Sequence, residues 1–340
     1  MRRPTIADIA AACGVSATAV SFALNGRPGV SEARRAQILD TAERLGWTPS
    51  VAARALSTSR VGAIGLIMSL PVDAVSRDTF YLRFIAGIER ALVGTPDVLV
   101  LKVVETLEEE LAVLRLWHRQ KRVDGIVLVN PRIDDPRPEL VHDLGLPAVF
   151  AGDLGLADGQ EPPASSVSID DARTMTALLT DLVARGMRDI AYLHTASPFR
   201  HAAERLRGLA SSADIGVRSQ RAFQIDEADG TTVAAAIETI LDELIARGLP
   251  DVLICEDEWI TLATLDALAR RGMSVPDDLG LVSWESGPGL TMRTPAISTL
   301  ERDPMLLGER AAQILLDQIS CPGAPVHDTL APPRLTIRDT

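Results

Sequence analysis

Over residues 5–47 the apolar positions recur at helical spacing, in three short runs broken by glycine or by a serine. Ile6, Ile9, Ala10 and Cys13 share one face of a helix that Thr5 can cap and that runs from Ile6 to about Ala12. Gly14 makes a turn, and Ser16 caps a second helix, Ala17 to Leu24, closed by Asn25-Gly26. Ser31 opens a third, Glu32 to Leu45, with Ile38, Ala42 and Leu45 as its inner stripe. The stretch "TPSVAARALSTSR", residues 48–60, reads as a helix of about two turns whose Leu56 has no evident core to enter. A helix this short is marginal alone, because nucleation costs more than a few propagated hydrogen bonds return.

From Val61 the pattern changes. Continuous apolar runs of strand length, such as "VGAIGLIMSL", "DVLVLKVV", "DGIVLVN" and "PAVFAGD", alternate with amphipathic helices. A Gly/Pro-rich stretch, "LGLADGQEPPASS", interrupts the series, which resumes at "SVSI" and runs through "DIAYLH" and "DVLIC" to "LGLVSW". Buried strands alternating with helices predict doubly wound parallel sheets with helices on both faces. Two series predict two similar lobes, and ligands bind such sheets at the carboxyl ends of the strands. The fold class expected is an all-α helix-turn-helix headpiece followed by an α/β body of two doubly wound lobes. The expected division is residues 1–48 for the headpiece, 49–60 for the linking helix and 61–340 for the body. Within the body, lobe 1 is expected at about 61–160 plus about 298–325, and lobe 2 at about 161–290 plus the C-terminal tail.

Charge sharpens this picture. The 340-residue chain has a net charge of −12. Residues 1–60, however, hold eight arginines against four carboxylates, a surplus of four, so the other 280 residues carry −16. A basic head on an acidic body is the asymmetry of a chain that meets phosphates at one end. No apolar run reaches membrane-spanning length, and "MRRPTIADIA" lacks the apolar core of a signal peptide, so a cytoplasmic protein without membrane contact is expected. Cys13, Cys255 and Cys321 show no CxxC spacing and read as reduced thiols.

"TIADIAAACGVSATAVSFALNG" places helix, glycine turn and helix at the spacing of a helix-turn-helix, although a generic three-helix bundle has the same shape. Such a second helix enters the major groove with its N-terminal residues at the base edges. On it Ala17, Thr18 and Phe22 face outward while Val20 and Leu24 pack inward. The longer string "TIADIAAACGVSATAVSFALNG…VSEARRAQILDTAERLGWTPSVAARALST…GAIGLI" resembles the lactose-repressor (LacI/GalR-type) family of transcription regulators. The likeness is most specific over residues 4–67. It continues collinearly through "ERLRGL", "DVLICEDEWITLATLDAL", "LGLVSWES" and "ISTLERD" to the terminal "LTIRDT".

The resemblance implies a sequence-specific repressor that binds a pseudo-palindromic operator as a homodimer and is controlled by a small, sugar-like effector held between the lobes. It makes residues 49–60 a hinge helix that pairs with its twin over the DNA. Leu56 would be wedged into a central base step, and Ala53 would be small enough for close helix approach. It matches Ala17, Thr18 and Phe22 to base-reading positions. Relatives often carry a polar or basic residue where this chain has Phe22, and a phenylalanine offers only apolar contact, such as to a thymine methyl. Thr5, Ser16, Ser21, Asn25 and Ser31 are expected at the DNA backbone, with Arg34 and Arg54 near phosphates.

In the cleft, Arg205 of "ERLRG" matches an effector-holding arginine, whose fork suits vicinal hydroxyls or a carboxylate. Glu285 of "VSWES" stands where relatives usually have Asp, and reads either as a ligand contact or as an interlobe structural carboxylate. Phe80 and Tyr81 match an aromatic pair that lines the cleft or packs in the core. Trp284 reads more as core than as a ligand platform. Asp153 and Asp257 are weaker candidates at strand ends, and His201 lies one helical turn before Arg205. Enzyme signatures are missing: the chain has no GxGxxG after a first strand, no GxxxxGK[ST] and no GxSxG, and its five histidines show no metal-ligand spacing with the cysteines. No catalysis, cofactor or metal is expected. The competing class is a sugar-binding transport module, which has no helix-turn-helix.

If the hinge helix gains order only against its twin and DNA, backbone amides of residues 50–58 exchange fast in the free protein and become protected on operator. Hydrogen exchange with equal protection in both states would refute that reading.

Overall fold

The computed structural model describes residues 4–24, 26–47, 60–70, 79–156, 160, 162–225 and 232–340. The expected hinge helix, with Ala53, Arg54 and Leu56, and Asn25 lie outside the described residues. The chain divides into two compact units, residues 1–63 and 64–340.

The first unit holds α1 (Ile6–Cys13), α2 (Ala17–Leu24) and α3 (Glu32–Arg44). Thr5 begins α1 with a reciprocal capping box: its hydroxyl accepts from the Asp8 amide, and the Asp8 carboxylate accepts from the Thr5 amide at 2.7 Å. Gly14 ends α1 in the left-handed conformation, φ +62°, and the chain then turns through 106° into α2. Ser16 caps α2 by accepting from the Ala19 amide at 3.1 Å. Ile9, Cys13, Val20, Ala23, Ile38 and Ala42 form the core. Leu45 does not join it: the side chain is exposed, and buried Thr41 takes its place on the inner stripe. Leu45 lies beyond the end of α3, where Gly46 (φ +68°) reverses the chain. The Trp47 amide then bonds the Ala42 carbonyl at 2.9 Å, and Trp47 packs against the core instead.

The second unit contains two six-stranded sheets. Its elements in chain order are β1 (Ala63–Ser69), α4 (Thr79–Leu92), β2 (Val98–Val104), α5 (Leu107–Gln120), β3 (Gly125–Val129), α6 (Arg137–Leu144), β4 (Ala148–Ala151) and β5 (Ser165–Ile169). There follow α7 (Asp171–Ala184), β6 (Asp189–Thr195), α8 (Arg200–Ala210), β7 (Ser219–Ile225), α9 (Val233–Arg247), β8 (Val252–Cys255), α10 (Glu258–Arg270) and β9 (Gly280–Ser283). The last are α11 (Pro288–Thr291), β10 (Ser298–Glu301), α12 (Pro304–Ser320), β11 (His327–Leu330) and β12 (Arg334–Thr336). One sheet runs β11-β5-β4-β3-β1-β2 and the other β12-β10-β9-β8-β6-β7. β1, β3, β4, β8 and β9 are buried throughout, as strands covered by helices on both faces must be.

The chain changes sheets at places other than those expected. β5, expected in lobe 2, pairs parallel with β4 in the first sheet. β10, expected in lobe 1, pairs parallel with β9 in the second. The chain therefore crosses between β5 and α7, between β10 and α12, and between β11 and β12. The Gly/Pro-rich stretch is a connection within one sheet and not the interlobe linker. A short apolar strand carries no mark of the sheet it will join, because that choice is made by hydrogen bonds to distant strands.

α4 and α12 pack backbone to backbone in the first lobe. A Cβ on Gly87 would come within 2.0 Å of the Met305 carbonyl oxygen, and one on Gly308 within 2.1 Å of the Phe84 carbonyl oxygen. Neither neighbour can yield as a flexible side chain would. Gly87→Ala is therefore expected to lower stability by roughly 2–3 kcal/mol in urea unfolding of the full chain, whereas Ala substitution of the exposed Gly323, whose Cβ would meet nothing nearer than the Cys321 carbonyl oxygen at 4.0 Å, lacks this clash.

Candidate functional site

In the first unit Ala17 and Thr18 are exposed on the leading turn of α2, and Val20 is fully buried beneath them. Phe22 is half-buried: its ring lies against Gly29, where a Cβ would stand 3.3 Å from Cδ2. The ring thus braces the loop between α2 and α3 while keeping part of its surface outward. Thr5 and Ser16 are exposed at the amino ends of α1 and α2, and Ser21 is half-buried. Ser31 takes the N-cap position of α3 without a side-chain cap bond. Arg34 donates to Gln37 Oε1 at 3.1 Å, and Arg35 donates to the Arg27 carbonyl at 2.7 Å.

In the second unit a cavity of about 420 Å³ opens between the two sheets, lined by residues at the carboxyl ends of their strands. Phe80, Tyr81, His201, Arg205, Asp257 and Glu285 all reach its wall, so six of the eight effector candidates are brought together. Two are not. Trp284 is completely buried and lies under the Arg205 guanidinium, whose carbon is 4.7 Å from the indole ring centre. Asp153 is half-exposed outside the lining, where it accepts from the Gly155 amide at 2.9 Å and faces Arg200 at 3.7 Å. Its strand end is right, but the turn it makes directs the carboxylate to α8 instead of the cavity.

Arg205 is buried and held from two directions. Its Nε donates to Asp171 at 3.0 Å and its Nη1 to Glu256 at 3.2 Å. The other oxygen of Glu256 accepts from the Thr195 amide at 2.7 Å and hydroxyl at 3.0 Å. These carboxylates hold the guanidinium firmly protonated despite burial, which works the other way. Arg302 donates to Glu285 at 2.8 Å and lies over the Phe80 ring at 5.2 Å. Phe80 meets Tyr81 edge-on, and Asn130 donates to the Tyr81 hydroxyl at 2.8 Å. Burial, aided by Arg205 and Arg302, pushes the His201 imidazole well below its usual range, so it is neutral. Burial, with Glu285 and Glu256 nearby, pushes the Asp257 carboxyl up to about 7, against backbone donation from Ile260.

Asn130, Arg132, Phe199, Asp171, Glu256 and Arg302 also line the cavity and are absent from the sequence-derived set. The strand-end rule reaches Asn130 and Arg132 in "DGIVLVNPR" and Glu256 in "DVLICED". No such signal marks Arg302, because β10 is not evident as a strand. A second buried network sets the position of the first two. Arg137 bonds Glu110 at 2.8 Å, the Val129 and Asn130 carbonyls at 3.0 and 2.8 Å, and Asp135. The Asp135 carboxylate in turn accepts from the Arg132 amide at 3.0 Å. Glu110, which by sequence belongs to a solvated acidic helix start, is fully buried because Arg137 pairs with it.

Residues 5–50 match the family profile described as "Bacterial regulatory proteins, lacI family", and residues 179–340 match "Periplasmic binding protein-like domain". The chain therefore joins a LacI-family DNA-binding domain to a periplasmic-binding-protein-like domain. Among its relatives is the HTH-type transcriptional regulator CelR of Thermobifida fusca, 28% identical over 342 residues, spanning 99% of this chain and 96% of CelR. A solved transcriptional regulator CelR–cellobiose complex superposes with a TM-score of 0.71 at 25% identity, covering 99% of both chains. The lac repressor dimer bound to operator and the anti-inducer ONPF gives a TM-score of 0.79 over 100% of this chain and 99% of that one. At 20% identity that likeness speaks to fold. This chain is a DNA-binding transcriptional regulator with a helix-turn-helix headpiece and a two-lobe body. Among the described residues no single helix is long and apolar enough to cross a membrane.

The raised Asp257 carboxyl makes a pH signature. Its folded value, about 7, exceeds that of an unfolded Asp, about 3.9, so the folded state holds the proton longer. The stabilisation is complete below about pH 4 and is lost as pH rises to about 7. Asp257→Asn keeps the cap on α10 and is expected to flatten that decline, which amounts to a few kcal/mol. Unfolding free energies across pH 4–8 read the difference directly.

Proposed function

We propose that this chain is a homodimeric repressor that binds a pseudo-palindromic operator through α2 and is controlled by a sugar-like effector in the interlobe cavity. Ala17, Thr18 and the outward part of Phe22 read bases. Thr5, Ser16, Ser21, Asn25, Ser31, Arg34 and Arg54 contact the sugar-phosphate backbone, and Ala53 and Leu56 act in the paired hinge helices. The observation that carries the effector reading is the cavity itself. It sits at the carboxyl ends of two facing sheets and combines an aromatic wall, Phe80 and Tyr81, with the paired guanidinium groups of Arg205 and Arg302. Aromatic faces suit the C–H faces of a sugar ring, and guanidinium and carboxylate groups suit its hydroxyls. The CelR relative, whose structure holds cellobiose, supports that chemistry.

An effector acts only through unequal affinity for two lobe arrangements. Here the moving lobes are joined by three crossing segments, and a ligand touching both walls biases their angle. Regulation then works through the linked headpieces, in a chain that carries out no catalysis and works in the cytoplasm.

The test uses duplex selected from random sequence and fluorescence anisotropy on the full chain. The selected site is expected to be near-symmetric, with a log–log salt slope of about −0.9 per phosphate neutralised. Residues 61–340 alone are expected to lose operator binding in the same assay. Cellobiose is the first effector probe, expected to change operator affinity at least tenfold. Phe80→Ala is expected to abolish that response while leaving operator binding intact. Operator binding by residues 61–340 equal to that of the full chain would overturn the assignment to the head.

A further inference from the structure

We infer that the cleft selects uncharged sugars and rejects their acids and phosphates, and that the Glu285–Arg302 pair sets this discrimination. The inference rests on the effector reading above and adds the charge class of the ligand.

The argument is one of charge balance. Three arginines reach the cavity wall: Arg132, Arg205 and Arg302. Arg205 is spent on Asp171 and Glu256, and Arg302 on Glu285, so each guanidinium already has a carboxylate at 2.8–3.2 Å. Arg132 lies on the Phe199 ring, its guanidinium carbon 5.3 Å from the centroid. Against these stand the four carboxylates Asp171, Glu256, Glu285 and Glu105, with Asp257 as a fifth that titrates near neutrality. Among the described residues the wall is therefore slightly negative, and the charges of Arg205 and Arg302 are compensated. His201 adds no positive charge, since burial and the two nearby arginines keep it neutral.

A site for an anion needs cationic donors whose charge has been left for the ligand. This site offers the reverse. A neutral sugar finds both polarities in fixed positions: guanidinium N–H groups to donate to its oxygens and carboxylate oxygens to accept from its hydroxyls. A uronate, aldonate or sugar phosphate must compete with Asp171, Glu256 and Glu285 for the same guanidinium groups, close to carboxylates of its own sign. Removing the Glu285 charge frees Arg302 for such a ligand. Removing the Arg302 charge leaves Glu285 to repel it.

Thermal-shift screening followed by calorimetric titration of the full chain at pH 7.5 tests this with matched sets. The sets are glucose, glucuronate and glucose 6-phosphate; galactose and galacturonate; and cellobiose and cellobionate. In the wild type at least one neutral member is expected to bind, with its charged counterparts at least tenfold weaker. Glu285→Gln is expected to narrow that ratio about tenfold, and Arg302→Gln to widen it. These opposite signs at one ion pair are what a merely structural role would not produce. Glu243→Gln, in an exposed pair with Arg247, serves as control and leaves the ratio unchanged. A preference for charged members, or Glu285→Gln and Arg302→Gln moving the ratio in the same direction, overturns the proposal while leaving the effector reading standing. A panel in which no member binds overturns both.

Discussion

Burial of Arg205 between two carboxylates and an indole is the constraint on which the cleft depends. The guanidinium joins α8, which carries it, to α7 through Asp171 and to the end of β8 through Glu256, and it rests on Trp284 beyond β9. A charge this deeply buried is tolerated only where its partners are fixed, because desolvation otherwise outweighs the Coulombic gain. Meeting that condition ties three elements of the second lobe into one rigid wall. The same condition explains the sandwich below it: Trp284 supplies a flat, polarisable face in a place where water cannot enter.

The first lobe solves a parallel problem with Arg137. Its guanidinium satisfies the carbonyls at the end of β3 and pairs with Glu110 and Asp135, so the loop carrying Asn130 and Arg132 leaves the sheet along a determined path. Each wall of the cavity is thus backed by a buried arginine that touches several elements at once. Between the walls lie groups of intermediate burial, such as Phe80, His201 and Glu285, which a ligand can reach. Rigid backing with accessible faces holds these groups in place with little local side-chain adjustment.

Much of this was legible along the chain. The headpiece announced itself through capping residues, a glycine turn and helical periodicity, all of which act within one helical turn and so leave a local trace. Parallel strands announced themselves as apolar runs, since both of their faces are covered. Arg205, Glu285, Phe80 and Tyr81 were identified as cleft residues by resemblance and by the strand-end rule. Arg302 was not, because β10 is four residues long and its partners, β9 and β12, come from elsewhere in the chain. Trp284 was weighed between core and ligand platform, and only the packing beneath Arg205 decided for the core.

By itself the sequence determined the helices of the head and the alternating strands and helices of the body as far as β9, which faces must be covered, and that a basic all-α head precedes an acidic α/β body. Those properties follow from short-range sterics, capping and hydrophobic periodicity. Only the tertiary structure decided which sheet received β5 and β10, that Leu45 yields its place to Thr41 and Trp47, and that Glu110 is buried instead of solvated. It alone decided that Arg205 and Arg302 reach the cavity already paired with carboxylates. Apart from Leu45, which the local chain reversal at Gly46 sets aside, these outcomes depend on hydrogen bonds and ion pairs between residues more than fifteen positions apart, and such long-range pairings have no signature in any local window of the chain.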